Sequence, residues 1–441
     1  MPSDVAALDA QRFALHPSVA AWQHRVSRVT SAITNHDDGK AEAGDMPPLP
    51  EVVRQLQPPS PLAEPQRAAH WAYHLGRLAF FTGQGFAGFA AHHVSDLLSR
   101  AGGGSARRTP FERLLADAEP ELATRLSDWS IAVEQDYANI QSGAYPMPWD
   151  MVTPNHRQYN PTFVLADSAR FLVEWTAITR RRVEGRPEKL WLSSGLYPRY
   201  YTNTFHYQTD GWFSAWSAKV YEHSTEALFG GLQDIMQRSA LLPIADFMRE
   251  ARAHCRTPSS LRLLEVAAGT GRFHTFIKDA YPDLPSVVSD LSPFYLARAR
   301  SNLRYWRSLR QPSRQLGGVD DTGTEFLQTA AEAIAAPDES FDVVVCVYLF
   351  HELPEPIRRA AVSEFFRVLR PGGLAVLTDS VQLGDRAGLD KNIDVFAEFN
   401  EPHYRNYLSC DLGALFEDAG FQPGTKYVSM VTKTLSFRKP E

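Results

Sequence analysis

Leu263-Leu264-Glu265-Val266-Ala267-Ala268-Gly269-Thr270-Gly271-Arg272-Phe273 decides how this chain folds. A short apolar run ends on a carboxylate, a small-residue loop comes after it, and the next residues take up helical spacing. That is the pattern of a β-strand, a tight turn and a helix N-terminus shaped for a ligand lying against the backbone. Glycine and alanine leave room for close approach, and the first helical turn has free N–H groups. A Gly-x-Gly alone is a weak signal, so its meaning depends on the residues C-terminal to it.

Those residues alternate between two periods. Strand patterns fall at 261–266, 286–290, 325–328, 341–347, 374–379 and 427–437, with helical patterns at 292–309, 356–369 and 411–419. This alternation predicts an α/β fold, a doubly wound and mostly parallel sheet with ligand at the carboxyl ends of its strands. The long alternating run at 427–437 predicts an antiparallel edge.

Upstream the pattern is helical. Trp71, Leu75, Leu78 and Phe81 share helical spacing, as do apolar residues at 86–98; Ala101-Gly-Gly-Gly-Ser105 breaks the pattern, which resumes over 110–140 and again over 217–236. Residues 1–64 combine a helical stretch at 19–34 with the polar and Pro-rich pieces 35–39 and 58–61. The expected division is therefore 1–64, an N-terminal helix and linker; 65–255, a mainly helical cap; and 256–441, the α/β domain. A chain of 441 residues with 44% hydrophobic content has material for two or three such units.

Charge and cysteine usage narrow the partners. A net charge of -6 gives no general attraction to nucleic acid or anionic lipid. Cys255, Cys346 and Cys410 are far apart and in no metal-like spacing, so neither a disulfide framework nor a bound metal is expected. Met1 to Leu15 does not read as a secretory signal and no apolar run reaches membrane-spanning length, which predicts a cytoplasmic protein with no membrane partner. Arg298, Arg300, Arg304, Arg307, Arg310 and Arg314 form a basic stretch, which in an acidic chain reads as a solvated helix surface before a nucleic-acid face.

One segment lacks a clear period. Residues 197–216 collect aromatics beside His206, Gln208 and Asp210. Flat apolar faces with polar groups among them suit a small-molecule pocket, and they equally suit the joint between two domains. Tyr207, Trp212 and Trp216 are the wall candidates and Asp210 a polar contact, although Asp210 before Gly211 also fits an ordinary turn.

Residues from about 261 to 438 resemble the class I S-adenosylmethionine-dependent methyltransferases. The resemblance rests on the opening loop, on Asp290 in Ser289-Asp-Leu-Ser-Pro293, on Ser340-Phe-Asp-Val-Val344, on Arg367-Val-Leu-Arg-Pro-Gly-Gly373, and on Glu401-Pro-His-Tyr404 with the segment 411–421. It implies S-adenosyl-L-methionine as cofactor. Glu265, Ala267, Gly269 and Gly271 would face its methionine end, and Asp290 with Leu291 its ribose. Ala331, Glu332 and Tyr348 would line the remainder, while Tyr221 in Ala218-Lys-Val-Tyr-Glu222 would close over it. Two departures stand out. Ala267 replaces a usual glycine, which the fold accepts if that position keeps a negative φ. Ala330 stands where many members carry the acid for the adenine amino group, leaving that contact to Glu332 or a backbone carbonyl.

The implied chemistry is transfer of an electrophilic methyl group to a positioned nucleophile, for which positioning alone supplies about 7 to 11 kcal/mol in favourable cases. Where a base is used, a neutral histidine suits pH 7. His351, in Tyr348-Leu-Phe-His-Glu352, comes first, then His206 and His403, with Tyr404 beside the last as a substrate contact. His351 also fits a purely packing role. The expected activity is methyl transfer to a small-molecule acceptor held between cap and sheet. An inactive cofactor-binding scaffold is the first alternative. A nicotinamide-dependent oxidoreductase comes second, because Ala267, Gly269 and Arg272 fill the dinucleotide fingerprint poorly.

Overall fold

The computed structural model describes residues 5–16, 59–100, 118–190, 195–310, 323–386, 389–390 and 393–441. The readings at 19–34, 35–39, 58, 101–105 and 110–117, and Arg314, lie outside them.

The described strands form one sheet: β1 (Ala14–Leu15), β2 (Leu263–Val266), β3 (Ser286–Asp290), β4 (Thr324–Gln328), β5 (Phe341–Val347), β6 (Leu369–Ser380), β7 (Gln422–Ser429) and β8 (Thr432–Arg438), in the order β1-β7-β8-β6-β5-β2-β3-β4. β2 runs parallel to both β3 and β5. The chain leaves β2 towards β3 and β4, then returns to β5 on the other side, so strand order reverses at β2. That switch point opens a crevice at the carboxyl ends of the strands.

Strand alternation sorts the two faces. Val343 and Val345 pack with Phe247, Met248, Phe276 and Ile277, from α7 (Leu241–Ala253) and α8 (Arg272–Ala280). Val344 and Cys346 pack on the other face with Val362 and Phe365 of α10 (Glu355–Val368). Both faces are covered, as a parallel sheet requires. α7 thus belongs to the sheet's own layer, although the sequence places it on the helical side of residue 255.

The 427–437 run is two strands, not one. Met430 at φ 53° turns the chain, and β7 pairs antiparallel with β8, bringing Ser429 opposite Thr432. β8 lies inside the sheet between β6 and β7, and the edge is β1. Period-2 alternation continues through a tight hairpin and hides it. Asp9 of α1 (Val5–Arg12) accounts for the position of β1. Lys426 Nζ is 2.6 Å and Lys433 Nζ 3.1 Å from its buried carboxylate, and Asp385 completes the group at 3.1 Å from Lys433. Two buried lysines need paired carboxylates, and α1 supplies one.

In the helical part, α2 (Pro65–Arg100) is one continuous helix where two were expected; Gly83 and Gly85 have open space beside them and impose no break. Its buried face carries His70, Trp71, His74 and Phe81, while Leu75 is 53% exposed, against the expectation from spacing. α3 (Ala118–Gln141) packs on it through Trp129, Ala132 and Val133. α4 (Pro161–Glu184) starts at Pro161 with Asn160 accepting the Thr162 and Phe163 N–H groups, and stops at left-handed Gly185. α5 (Ala215–Leu228) ends earlier than the 217–236 pattern suggests. Gly231 has φ 80°, and a Cβ there would lie 2.9 Å from Arg77 Cβ of α2, so close helix approach forces the break before α6 (Gln233–Arg238).

α9 (Pro293–Arg310) carries the basic stretch, which is largely consumed internally. Arg300 lies over Phe326 at 4.8 Å, Arg307 is buried, and Arg310 donates to the Asp279 carbonyl at 3.2 Å. Among the described residues no helix is long and apolar enough to cross a membrane.

Candidate active site

The crevice at the switch point is a cleft that opens to solvent, about 970 Å³ with the solvent space at its mouth included. One wall is the β2 turn. Glu265 is buried, with Oε2 2.7 Å from His274 Nδ1, whose Nε2 is 2.9 Å from Ser286 Oγ on β3. Burial holds His274 neutral, its pKa well below the usual value. Burial, with the charge of Asp290 added, pushes the Glu265 carboxyl well above the usual range. A ligand ammonium beside it would favour the ionised form.

Ala267 departs from the sequence expectation. Its φ is +53°, not negative, a left-handed conformation that costs an L-residue about 1–2 kcal/mol. The loop keeps it because Ala268 N–H donates to Ser289 O at 2.8 Å and Gly271 N–H to Ala268 O at 2.9 Å, fixing the turn on both sides. Strain of this kind collects at ligand sites. The two glycines serve different ends. A Cβ on Gly269 would meet nothing nearer than Tyr295 Cδ1 at 4.0 Å, so its bareness leaves ligand space. A Cβ on Gly271 would sit 2.9 Å from Ala299 Cβ, so its bareness lets α8 and α9 meet.

Asp290 ends β3. Its Oδ2 accepts Gly269 N–H at 2.9 Å and its Oδ1 accepts Ser292 N–H at 2.8 Å. Burial outweighs those bonds and pushes the carboxyl up to about 6. Each oxygen retains a lone pair for a ligand hydroxyl.

The cleft brings together Glu265, Ala267, Gly269, Asp290, Leu291, Ala331, Tyr348, Tyr221 and Trp212 from the sequence-derived set. Gly271 and Glu332 are not among its lining residues. Glu332 instead accepts the Tyr200 hydroxyl on both oxygens, at 2.8 and 2.9 Å. The opposite wall is aromatic: Trp212, Tyr221 and Tyr295 meet edge to face at 5.2 to 5.7 Å, joined by Tyr200, Tyr201 and Phe205.

Other aromatic-segment candidates face away. Tyr207 sits in a turn at φ 56° with its carbonyl taken by Arg181. Asp210, at φ 59°, donates its N–H to Glu188 Oε2 at 2.9 Å, the turn role its sequence also allowed. Trp216 is 36% exposed and donates Nε1–H to Glu174 Oε2 at 2.8 Å. Their polar handles find partners on α4 and the stretch after it, which draws them off the cleft.

The histidines fall at its margin. His351 Nδ1 is 2.6 Å from Asp379 Oδ1. Burial disfavours its charge, but Asp379, aided by Glu401 and Glu352, outweighs burial and pushes His351 up to about 10. A shift in that direction favours the imidazolium over the neutral base expected from the sequence. His206, at φ 56°, bridges two carboxylates, with Nδ1 3.2 Å from Glu401 Oε1 and Nε2 3.5 Å from Glu352 Oε1. Glu352 itself lines the cleft. His403 precedes α11 (Tyr404–Leu408) and gives its carbonyl to Arg358 at 3.1 Å; Tyr404 is buried with its hydroxyl 3.1 Å from Ser380 Oγ and its ring 6.0 Å from His351.

Sequence reasoning did not nominate Glu352, Asp379, Glu401, Tyr200 or Tyr295. Asp379 had a usable signal: like Glu265 and Asp290, it is a carboxylate near the end of a parallel strand. Tyr295 and Glu401 carried none, since their roles depend on contacts across the chain.

A doubly wound sheet, carboxylates at the ends of neighbouring strands and a strained small-residue loop over an open cleft define a class I S-adenosylmethionine-dependent methyltransferase domain. The residues fit that cofactor: Glu265 suits the amino group, Asp290 the vicinal ribose hydroxyls, and bare Gly269 leaves room between them. Residues 263–373 match the family model described as a methyltransferase domain, so the C-terminal unit carries that domain.

The chain is 31% identical over 147 residues to a demethylmenaquinone methyltransferase of Deinococcus radiodurans, covering 33% of this chain and 54% of the relative. It is 30% identical over 178 residues to a ubiquinone/menaquinone biosynthesis C-methyltransferase of Bradyrhizobium diazoefficiens, covering 40% of this chain and 64% of that protein. It thus spans under two thirds of the length of these relatives. A methyltransferase structure from Aquifex aeolicus aligns at TM-score 0.30 and 17% identity, covering 45% of this chain and 97% of the other.

Proposed function

We propose that this protein transfers the methyl group of S-adenosylmethionine to a small-molecule acceptor seated against the aromatic wall of the cleft. The observation that carries the reading is one cleft lined on one side by Glu265, Gly269 and Asp290 and on the other by Tyr201, Phe205, Trp212 and Tyr221. The cofactor supplies an electrophilic methyl carbon on a sulfonium. The chain's part is to hold the acceptor in line with it and to exclude water, and the helical elements contribute the wall for both tasks.

Glu352 is the proton-handling group of this reading. It lines the cleft and contacts the partly exposed His206, so a proton taken from the acceptor at Glu352 has an imidazole between it and solvent. His351, whose pKa Asp379 raises, lies with Nε2 4.0 Å from Glu352 and in its charged form would stabilise negative charge there. Aromatic faces beside carboxylates favour a flat acceptor or one bearing a cationic centre. The relatives named for demethylmenaquinone and for ubiquinone/menaquinone biosynthesis are consistent with a flat one.

The test is a methyl-transfer assay of the purified protein over a metabolite panel, beside calorimetric binding of S-adenosylhomocysteine. Trp212→Ala should abolish acceptor turnover. Glu352→Gln should lower kcat by about 10²-fold or more while leaving S-adenosylhomocysteine affinity intact. Binding without any methylated product would replace this reading with the cofactor-binding scaffold.

A further inference from the structure

Away from the cleft, a second group of polar side chains converges inside the helical unit. His70 and His74 stand one turn apart on α2 and share its buried face. Asp136 of α3 faces them, and all three side chains are at most 1% exposed. His70 Nε2 lies 2.8 Å and His74 Nε2 3.9 Å from the same oxygen, Asp136 Oδ2. One ligand atom from each residue fits within 4.8 Å of the others.

The carboxylate is firmly held. Arg238 of α6 donates Nε–H to Oδ1 at 2.9 Å and Nη2–H to Oδ2 at 2.7 Å, and the Tyr145 hydroxyl donates to Oδ1 at 2.9 Å. The imidazoles are held less completely, His70 by Nε2 alone. Among the described residues neither nitrogen of His74 has a hydrogen-bond partner, and His70 Nδ1 has none. Buried polar atoms are seldom left so, because each forfeits its bonds to water.

We propose that His70, His74 and Asp136 form a divalent-metal site whose two imidazoles and one carboxylate suit zinc. The donors arrive preset. Arg238 and Tyr145 orient the carboxylate as outer-shell partners of a metal ligand do. Arg238 also brings positive charge close to the ion, which lowers affinity. None of the three ligands lines the cofactor cleft. Bound metal would therefore tie α2 to α3 and, through Arg238, to α6, bracing the helical wall without taking part in methyl transfer.

The experiment uses the full-length protein, loaded with equimolar Zn²⁺ and desalted, with metal counted by inductively coupled plasma mass spectrometry. About one zinc per chain is expected, and chelation should lower the melting temperature. In His74→Leu, which keeps the bulk and removes the orphaned nitrogens, zinc should fall below a tenth per chain and the chelator should have no effect. If that variant fails to fold, Co²⁺ added to the wild type should give the visible absorption of a nitrogen–oxygen site. Wild-type protein that retains no zinc and gives no cobalt bands would overturn the proposal. So would undiminished zinc in folded His74→Leu.

Discussion

Gly271 and Gly269 share a left-handed backbone but differ in their surroundings, and that difference predicts unequal responses to the same mutation. At φ +72° and +56° respectively, alanine at either position meets the left-handed penalty of about 1–2 kcal/mol. At Gly271 the new methyl also falls 2.9 Å from Ala299 Cβ and 3.2 Å from Ala299 Cα, a backbone atom that cannot swing aside. Separating α8 from α9 to admit it adds about 1–3 kcal/mol of overpacking. Gly271→Ala should thus destabilise by roughly 2–5 kcal/mol, a large share of the roughly 5–15 kcal/mol that holds a domain together. Gly269→Ala should forfeit only the backbone part, because its nearest neighbour is 4.0 Å away. Urea unfolding measures the first quantity. Calorimetric titration with S-adenosylhomocysteine measures the second effect, since the Gly269 methyl projects into ligand space and should weaken binding more than its small stability loss suggests. Equal unfolding midpoints for the two variants would refute the steric reasoning, as would a Gly269→Ala that unfolds first.

The same loop and its margin carry further consequences. Ala267→Gly releases the left-handed strain of about 1–2 kcal/mol but loosens the unfolded chain by about 0.4–1 kcal/mol, so its net effect in urea unfolding should lie between nil and a gain of about 1.6 kcal/mol. Because burial lifts Asp290 to about 6, affinity for S-adenosylhomocysteine should fall as pH drops below 6, approaching tenfold per unit, and Asp290→Asn should flatten that dependence in titrations from pH 4.5 to 8. His351 is raised in the fold from its ordinary value of 6.5 to about 10. Its stabilising contribution is therefore fully present below pH 6.5 and is lost as pH rises towards 10, with a slope of at most about 1.4 kcal/mol per pH unit. Asp379→Asn should remove that slope from unfolding free energies measured between pH 6.5 and 10, and an unchanged slope would place the titration elsewhere.

The sequence by itself determined the framework of the cofactor site. The strands at 286–290 and 341–347 are legible to the residue, because each sets β-branched valines at its centre between turn-forming segments. Glu265, Asp290 and the small-residue loop could be placed from local pattern alone, since strand, turn and helix start are each written within a few residues. Tertiary structure decided what depends on partners distant in the chain. Periodicity says which face of α2 is buried only if that face is apolar, so it chose Leu75 and passed over His70 and His74, whose burial is offset by Asp136 on another helix. The raised pKa of His351 comes from Asp379, and the left-handed turn at Ala267 is held by the hydrogen bonds of Ala268 to Ser289 and Gly271. The aromatic segment divided for the same reason: Trp212 meets Tyr295 and faces the cleft, while the polar edges of Trp216 and Asp210 are claimed by Glu174 and Glu188. Composition announced an aromatic surface, and only the positions of those partners decided which rings line the cleft.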